Sequence, residues 1–454
     1  MIRSTLLIAA SFLALPLAPL SAEEAMPLPA HVIAEFGAPP TIPEGALPAP
    51  LEEALDTLVR HGIGQANWDP SDTAAFDAVR AAGDPRAAWL LTDMLRFTWR
   101  REFGFALGET LFAVTELEPD AFMNRGDIID HLMAWDMPAY PGYLAHKKAI
   151  FTNYIPGWEE IFQEGNIDWH LVDWGGVYID DRPMEQTNDL CNCIPAADNP
   201  EVSTAAEATW LEDDDVIFGI EINGEARAYP RRIMEVREMV NDTLGGRDLG
   251  IPYCTLCGAA QAFFTDGMPE GVERPVLRTS GLLSRSNKVM YDLNTYSVFD
   301  TFLGTALTGP LAEKGIELDQ ATVITTDWGT WKATYPDTTV LVERLALGRD
   351  FDFRNGRDAN GPIFPVGDVD PRLPVHEDVV GAVTASGQAV AFQRSAALVA
   401  LNAGQDITFE NIRLELEAGG LKAVDADGSD LGSHQAFWFA WSQFHPGTAL
   451  WPAE

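Results

Sequence analysis

Four cysteines form two short pairs: Cys191 and Cys193 in a C-x-C spacing, and Cys254 and Cys257 in a C-x-x-C spacing. Two such loops supply four thiolates, a soft ligand set that suits Zn(II) or Cu(I). Cysteines of an exported protein also form structural disulfides, and a C-x-x-C pair with a lowered thiol pKa can be redox-active. A cysteine-based metal site is the main hypothesis. The alternatives are a thiol-redox factor or enzyme using Cys254 and Cys257, and a binding module with structural disulfides.

The spacing also predicts which sulfurs meet. A disulfide inside C-x-C closes a very small ring, so we expect bridges between the two loops rather than within each loop. A four-thiolate site requires the same convergence, with Zn or Cu as the possible cofactor. Both interpretations therefore predict that the pair at positions 191 and 193 lies beside the pair at 254 and 257.

Polar residues cluster in the sequence around the second cysteine pair. Asn241, Asp242, Ser280, Asn287 and Lys288 offer amide, carboxylate, hydroxyl and ammonium groups for a ligand or cofactor. Asn-Asp followed by Gly-Gly is also ordinary turn chemistry. The pattern assigns no catalytic residue and does not decide whether the protein is an enzyme.

A repeated set of elements is predicted to position these residues. Residues 215–229 align without a gap on residues 378–392, and both segments read as a β-hairpin around a central glycine. The pattern W-x2-W-x4-P-x-T occurs at 328–338 and again at 438–448. Two elements repeated in the same order indicate an internal duplication, with the polar segment inserted into the first copy.

The sequence as a whole divides into four predicted segments. Residues 1–22 read as a signal peptide, because Arg3 precedes a short apolar run that ends in small residues. Residues 23–50 are a proline-rich arm. Apolar residues at helical spacing predict a helical region over 51–165, and a β-rich duplicated domain fills 166–454. The expected fold class is therefore α+β, helices first.

The composition of the chain argues against one class of partner and indicates its compartment. The chain has 30 Lys+Arg against 68 Asp+Glu, a net charge of −38, and this acidity argues against nucleic-acid binding. No later run is long and apolar enough to span a membrane. We therefore expect a periplasmic or secreted protein without a transmembrane span in its mature chain, with a possible protein partner for the helical region.

Several segments resemble one known family when taken in order. They are Cys193-Ile194-Pro195-Ala196, residues 224–230, 238–246, 253–260 and 280–292, and both Trp-x-x-Trp elements. Over about residues 180–450 the chain resembles the DUF3179 family, a group of largely bacterial and often exported proteins of unknown function. The resemblance implies an exported protein and leaves the helical region unexplained.

The chain departs from this family at one informative position. Family members usually carry a histidine before the residue matched by Glu238, whereas this chain has Arg237. The pair Cys191 and Cys193 is present in only part of the family. If the usual histidine assists the C-x-x-C pair, the resemblance implies that a nitrogen ligand is replaced by sulfur, which makes the site softer.

Overall fold

The computed structural model describes residues 28–64, 68, 70–118, 123–186, 189, 191–342 and 361–452. The predicted signal peptide, residues 1–22, lies outside these residues. The helices are α1 (Ala30–Phe36), α2 (Ala49–Gly64), α3 (Pro70–Ala82), α4 (Ala88–Phe97), α5 (Arg101–Thr115), α6 (Arg125–Ala134), α7 (Tyr143–Tyr154), α8 (Arg231–Arg237), α9 (Gly309–Glu313), α10 (Trp328–Thr334), α11 (Arg394–Asn402) and α12 (Trp438–Phe444).

The strands of the described residues all come after α7. They are β1 (Val172–Trp174), β2 (Ala197–Asp198), β3 (Val202–Thr204), β4 (Val216–Ile222), β5 (Glu225–Pro230), β6 (Met239–Leu244), β7 (Arg247–Cys254), β8 (Ala259–Ala260), β9 (Ala262–Phe264), β10 (Leu277–Ser284), β11 (Asn287–Asp292), β12 (Val298–Phe299), β13 (Gln320–Ala321), β14 (Ile324–Asp327), β15 (Thr339–Leu341), β16 (Asp378–Val383), β17 (Ala389–Gln393), β18 (Ile407–Phe409), β19 (Ile412–Glu417), β20 (Gly420–Val424), β21 (His434–Phe437) and β22 (Ala449–Trp451).

The expectation of a simple α+β domain is wrong, because the strands do not form one sheet. They form five small sheets in a five-bladed, propeller-like arrangement. The strand orders are β1-β10-β11-β12, β13-β9-β7-β6-β2, β14-β4-β5-β15-β3, β21-β16-β17-β22 and β18-β19-β20, and β8 pairs with β7. In four of the sheets a local hairpin supplies the middle and a strand from another segment adds at least one edge, whereas β18-β19-β20 consists of consecutive strands. Strand propensity predicts the hairpins and carries no information on which distant segment completes each sheet.

The helices pack onto the first of these sheets. One hydrophobic core contains Leu55 and Leu107 from the helices together with Leu282 and Tyr291 from β10 and β11. The indole N–H of Trp158 donates to the carbonyl of Ser280 over 2.8 Å. The helical region and the sheet β1-β10-β11-β12 therefore share one packed interior.

The two segments that match in sequence occupy two sheets of the same local topology. In each sheet a hairpin pairs with an antiparallel strand that leads into a tryptophan-bearing helix, and a parallel strand follows that helix. The Trp331 ring lies where a Cβ on Gly219 would stand, and the Trp441 ring lies likewise against Gly381. Glycine is required at both positions because the indole approaches the strand backbone.

The first of these hairpins confirms the turn prediction. Its strands β4 and β5 pair from Ile222↔Glu225 outward, and the turn residues Asn223 and Gly224 have φ of 52° and 86°. Positive φ at both central residues is the geometry that Asn-Gly favours in tight hairpins.

Across the described residues, none of the helices combines the length and apolar character needed to cross a bilayer.

Candidate functional site

The four cysteines are paired within their loops. Cys191 is bonded to Cys193 and Cys254 to Cys257, with Cα–Cα distances of 5.1 Å and 5.3 Å. Both distances lie in the usual disulfide range, so each loop folds back far enough to close its own bridge. The expectation of bridges between the loops is therefore wrong, and all four sulfurs are oxidised.

This pairing favours disulfides over the predicted metal site. Among the described residues, one group of three or more potential ligands has its ligand atoms within 4.8 Å of one another, namely Asp180, Cys191 and Cys193. Cys254 and Cys257 do not belong to that group, so a four-sulfur centre is not formed. A disulfide sulfur lacks the thiolate charge that binds Zn(II) or Cu(I), so even this trio could hold a metal only after reduction.

The pair Cys254–Cys257 lies at the end of a tight hairpin. Strand β6 pairs with β7 as far as Pro252, and the last two residues of β7, Tyr253 and Cys254, pair with β8 after the turn. Both cysteines lie in the interior. Cys254 is 2 % exposed and Cys257 is 0 % exposed, within an apolar cluster that includes Phe302 and Phe437. The carbonyl oxygen of Ser286 lies 4.0 Å and 3.8 Å from the two sulfurs.

An ion pair lies beside the Cys254–Cys257 bridge, which we call the inner disulfide. The Lys288 ammonium lies 2.7 Å from a carboxylate oxygen of Glu238 and donates to the Glu238 carbonyl over 2.7 Å. The other carboxylate oxygen accepts from the Thr255 hydroxyl over 2.6 Å. Burial lowers the pKa of Lys288, and the charge of Glu238 opposes that shift. Lys288 was predicted to bind a ligand, and in the structure its ammonium is already bound by Glu238.

The other predicted ligand-binding residues are buried and mostly engaged within the protein. The Asn241 amide donates to Asp198 over 2.8 Å and accepts from the backbone of Leu277 over 3.0 Å. The Asp242 carboxylate accepts from the Tyr229 hydroxyl over 2.8 Å. Burial, reinforced by Asp242, raises the pKa of Tyr229 well above its ordinary value, so this hydroxyl keeps its proton. These side chains hold adjoining sheets together.

Ser280 and Asn287 follow the same pattern with one difference. The Ser280 hydroxyl donates to the Val289 carbonyl over 2.5 Å. The Asn287 amide donates to the Arg285 carbonyl over 2.9 Å, while its carbonyl oxygen and the neighbouring Ser286 hydroxyl have no hydrogen-bond partner among the described residues. The structure thus brings Asn287 and Lys288 next to the inner disulfide and puts Asn241, Asp242 and Ser280 into the framework around it.

The Cys191–Cys193 bridge, which we call the outer disulfide, has more exposed and more charged surroundings than the inner one. Both cysteines are half-buried and Asn192 between them is exposed. Beneath them the Asp180 carboxylate is fully buried and is held by Arg182 through contacts of 2.6 Å and 2.8 Å. The outer disulfide therefore combines access to solvent with a fixed charge.

Sequence reasoning missed the charged network below the outer disulfide. Arg278 is 0 % exposed, makes contacts of 2.8 Å and 2.5 Å to Asp198, and approaches Asp180 to 3.8 Å. A signal was present in the D-x-R spacing of Asp180 and Arg182. The same spacing gives ion pairs at two other places, Asp84 with Arg86 and Asp370 with Arg372.

Comparison with known proteins adds one finding. The profile of a family described as "Protein of unknown function (DUF3179)" matches residues 191–427. That range contains both cysteine pairs and strands β16 and β17, but it ends before β21 and β22 of the same sheet. It also excludes the helical region. Searches of curated proteins and of solved structures found no match.

Proposed function

Because this chain belongs to the DUF3179 family, whose function is unknown, we propose a role from its geometry: an extracytoplasmic binding module with structural disulfides. The burial of the inner disulfide carries this proposal. Cys254 and Cys257 are 2 % and 0 % exposed, and the cluster around them is apolar. Thiol exchange requires a thiolate to reach one sulfur, and metal binding requires reduced sulfurs. The buried Cys254–Cys257 pair therefore does not fit thiol exchange or metal binding. It fits a structural disulfide that stabilises the interior.

Export is part of the proposal. It is supported by the predicted signal peptide of residues 1–22 and by two disulfides, which persist in oxidising compartments. Fractionation followed by N-terminal sequencing tests it. A mature chain that starts near residue 23 in the periplasmic or secreted fraction is expected, and an uncleaved cytoplasmic chain contradicts export.

A groove in the helical region is the surface that we assign to a partner. Its volume is about 390 Å³, and aromatic rings of Trp68, Phe76 and Phe105 line it. Phe105 is 60 % exposed, and the Arg101 guanidinium lies over its ring at 5.4 Å. Rings that are exposed beside a concave surface supply apolar contact area to a bound segment.

The charges of the groove indicate the chemistry of that partner. Of its three charged lining residues, Arg80 is paired with Asp77 over 2.5 Å, while Glu102 and Glu109 are exposed on the rim. The whole chain carries a net charge of −38 and attracts cations. The occupant we propose is therefore a cationic amphipathic segment of another protein, with its apolar face in the groove.

The structural role of the inner disulfide is tested by alkylation and peptide mass spectrometry of the native protein without reductant. The expected result is local pairing, Cys191 with Cys193 and Cys254 with Cys257, and no titratable thiol. Stoichiometric Zn or Cu in chelator-free protein, or bridges between the loops, contradicts the proposal.

Partner binding is tested with two synthetic helical peptides of leucine with lysine and of leucine with glutamate. Fluorescence anisotropy at physiological salt should detect the lysine peptide alone. Phe105→Ala should weaken its binding about tenfold or more, by loss of a buried aromatic contact. Val399→Ala is the control, because Val399 is 73 % exposed on α11, away from the groove. Equal effects of the two substitutions would mean that the peptide binds by charge alone, and the groove assignment then fails.

A further inference from the structure

The two disulfides differ in the access that they give to another thiol. Cys191 and Cys193 are half-buried and flank the exposed Asn192, whereas the inner pair is buried. A disulfide exchanges only when a thiolate can approach one sulfur along the S–S axis. Access is therefore present at the outer pair and absent at the inner pair.

The outer loop is also anchored independently of its disulfide. The amide of Tyr178 donates to the Asn192 carbonyl over 3.0 Å, and Tyr178 and Cys193 form a parallel bridge. The Thr279 hydroxyl donates to the Ile194 carbonyl over 2.8 Å. Because these bonds do not involve sulfur, reduction leaves both thiols at the same place, ready to close again.

From these observations we propose that Cys191–Cys193 is a thiol–disulfide exchange site whose partner is an extracytoplasmic dithiol peptide or protein. This activity goes beyond the proposed binding role and stands on a different region of the molecule. It also differs from the redox alternative raised by the sequence, which used Cys254 and Cys257.

The exchange is balanced by its partner. A thiolate of the partner attacks one sulfur of the Cys191–Cys193 bond, forms a mixed disulfide and releases the second sulfur, which takes up a proton. The partner's other thiol loses its proton and displaces the remaining cysteine, which is protonated in turn. The partner dithiol is oxidised by two electrons and becomes a disulfide, and the pair at 191 and 193 is reduced to two thiols.

Asp180 is the positioning residue of this site. Its carboxylate oxygen lies within 4.8 Å of both sulfurs and is held in place by Arg182. A negative charge at that distance disfavours a thiolate, so the carboxylate keeps the reduced sulfurs protonated. Removing that charge leaves the cations of Arg182 and Arg278, which contact the Asp180 carboxylate, without this counter-charge, and that favours the thiolate.

The experiment compares the two pairs within one native protein. The mature chain is incubated with dithiothreitol, trapped with N-ethylmaleimide at intervals, and digested for mass spectrometry. Modification of Cys191 and Cys193 should be at least tenfold faster than modification of Cys254 and Cys257. In a second arm the oxidised protein should convert an equimolar synthetic dithiol peptide to its disulfide, and the variant Cys191→Ser/Cys193→Ser should not.

Two results would overturn the proposal. One is that the outer pair is reduced no faster than the inner pair. The other is that the serine variant, folded by circular dichroism, oxidises the peptide as fast as the parent. Protection of the inner pair is a separate outcome that bears on the proposed function, so the two proposals can fail independently.

The role of Asp180 has its own readout, the pH profile of alkylation of the reduced outer pair. Asp180→Asn should move the midpoint to lower pH by about one unit, as expected when a nearby charge is removed. Asp181→Asn is the matched control, because Asp181 is exposed and is not one of the three grouped ligands. Identical midpoints for both variants would remove Asp180 from the site.

Discussion

The outer and inner disulfides are covalently similar and differ in what surrounds them. Each closes within a short loop, with Cα–Cα distances of 5.1 Å and 5.3 Å, and each stands near a buried ion pair. Around Cys191–Cys193 the neighbours are charged and solvent is close. Around Cys254–Cys257 the Lys288–Glu238 pair is accompanied by aromatic rings, and both cysteines are buried. A cysteine spacing therefore does not define a chemical role; the exposure and charge of the surroundings decide between a bond that can exchange and one that braces the interior.

The two disulfides are expected to contribute almost equally to stability through loop entropy. Closing a loop of three or four residues contributes about 2 kcal/mol in the chain-entropy treatment, almost the same for both pairs. Any larger difference between their contributions to the free energy of unfolding must come from packing.

Deleting the inner disulfide should have the largest effect. Cys254→Ala/Cys257→Ala is expected to lower the free energy of unfolding by about 4 kcal/mol, because it removes the bridge and leaves a cavity in the apolar cluster. Cys191→Ala/Cys193→Ala should cost about 2 kcal/mol. Urea denaturation measures both, and equal losses would show that burial does not separate the two pairs.

Breaking the ion pair beside the inner disulfide should have the next largest effect. Lys288→Met leaves the Glu238 carboxylate, 12 % exposed, without its counter-charge and should cost about 3 kcal/mol. It should also speed reduction of Cys254–Cys257 by dithiothreitol and leave that of the outer pair unchanged. Glu238→Gln in the same chain should recover part of the loss. If the double variant is as unstable as the sum of the single variants, the pair does not act as a unit.

Mild acid should lower the free energy of unfolding, because the buried His434 lies beside the cluster around the inner disulfide. This histidine is 3 % exposed and its ring lies 5.7 Å from that of Phe302, which belongs to the cluster around the inner disulfide. Burial lowers the pKa of His434 to about 3, and proximity of His445 adds to the shift. The unfolded chain, with a histidine pKa near 6.5, therefore takes up the proton first.

Stability consequently falls as the pH drops from about 6.5 towards 3, by between about 2 and 3 kcal/mol from this group at pH 4.5. His434→Gln should flatten the dependence of the unfolding free energy on pH by that amount. Reduction by a phosphine at pH 4.5 should reach Cys254–Cys257 faster than at pH 7 in the parent and show less acceleration in the variant. An unchanged slope would exclude His434 as the acid-sensitive group.

The smallest effects concern the residues enclosed by each bridge. Leu256 is partly buried against the inner cluster, and Leu256→Ala should cost about 1 to 2 kcal/mol. Asn192 is exposed, and Asn192→Ala should change stability by less than about 0.5 kcal/mol. Thermal unfolding of the two variants checks this. A loss of similar size at Asn192 would indicate that the outer loop is packed as firmly as the inner one.

Local features of this chain followed from the sequence. Asn223 and Gly224 predicted a tight turn because their residue types tolerate positive φ, and the turn is present. Tryptophans three residues apart lie on one face of a helical turn, and the structure has these turns as α10 and α12. Each of these signals depends on residues within one turn or one hairpin, where backbone preferences decide the outcome.

Features that depend on distant partners did not follow. Nothing in the spacing of Cys191 and Cys193 shows that their loop lies over Asp180 rather than beside Cys254. The ring-size argument favoured bridges between loops, but it needed a convergence of segments that only the tertiary fold could provide. Asn241 and Asp242 are predicted to bind a ligand because they lie near the second cysteine pair in the sequence, yet here they meet buried partners from other strands.

The helices and the sheet β1-β10-β11-β12 share one interior, so a relative without the helical region would expose part of that sheet. The family match begins at residue 191, whereas Leu282 and Tyr291, inside the match, rest on side chains from well before it. A chain lacking residues 28–186 would present that face of β10 and β11 to water. Such a chain would need another cover for it, either a second copy, a different flanking sequence or more polar residues on the same strands.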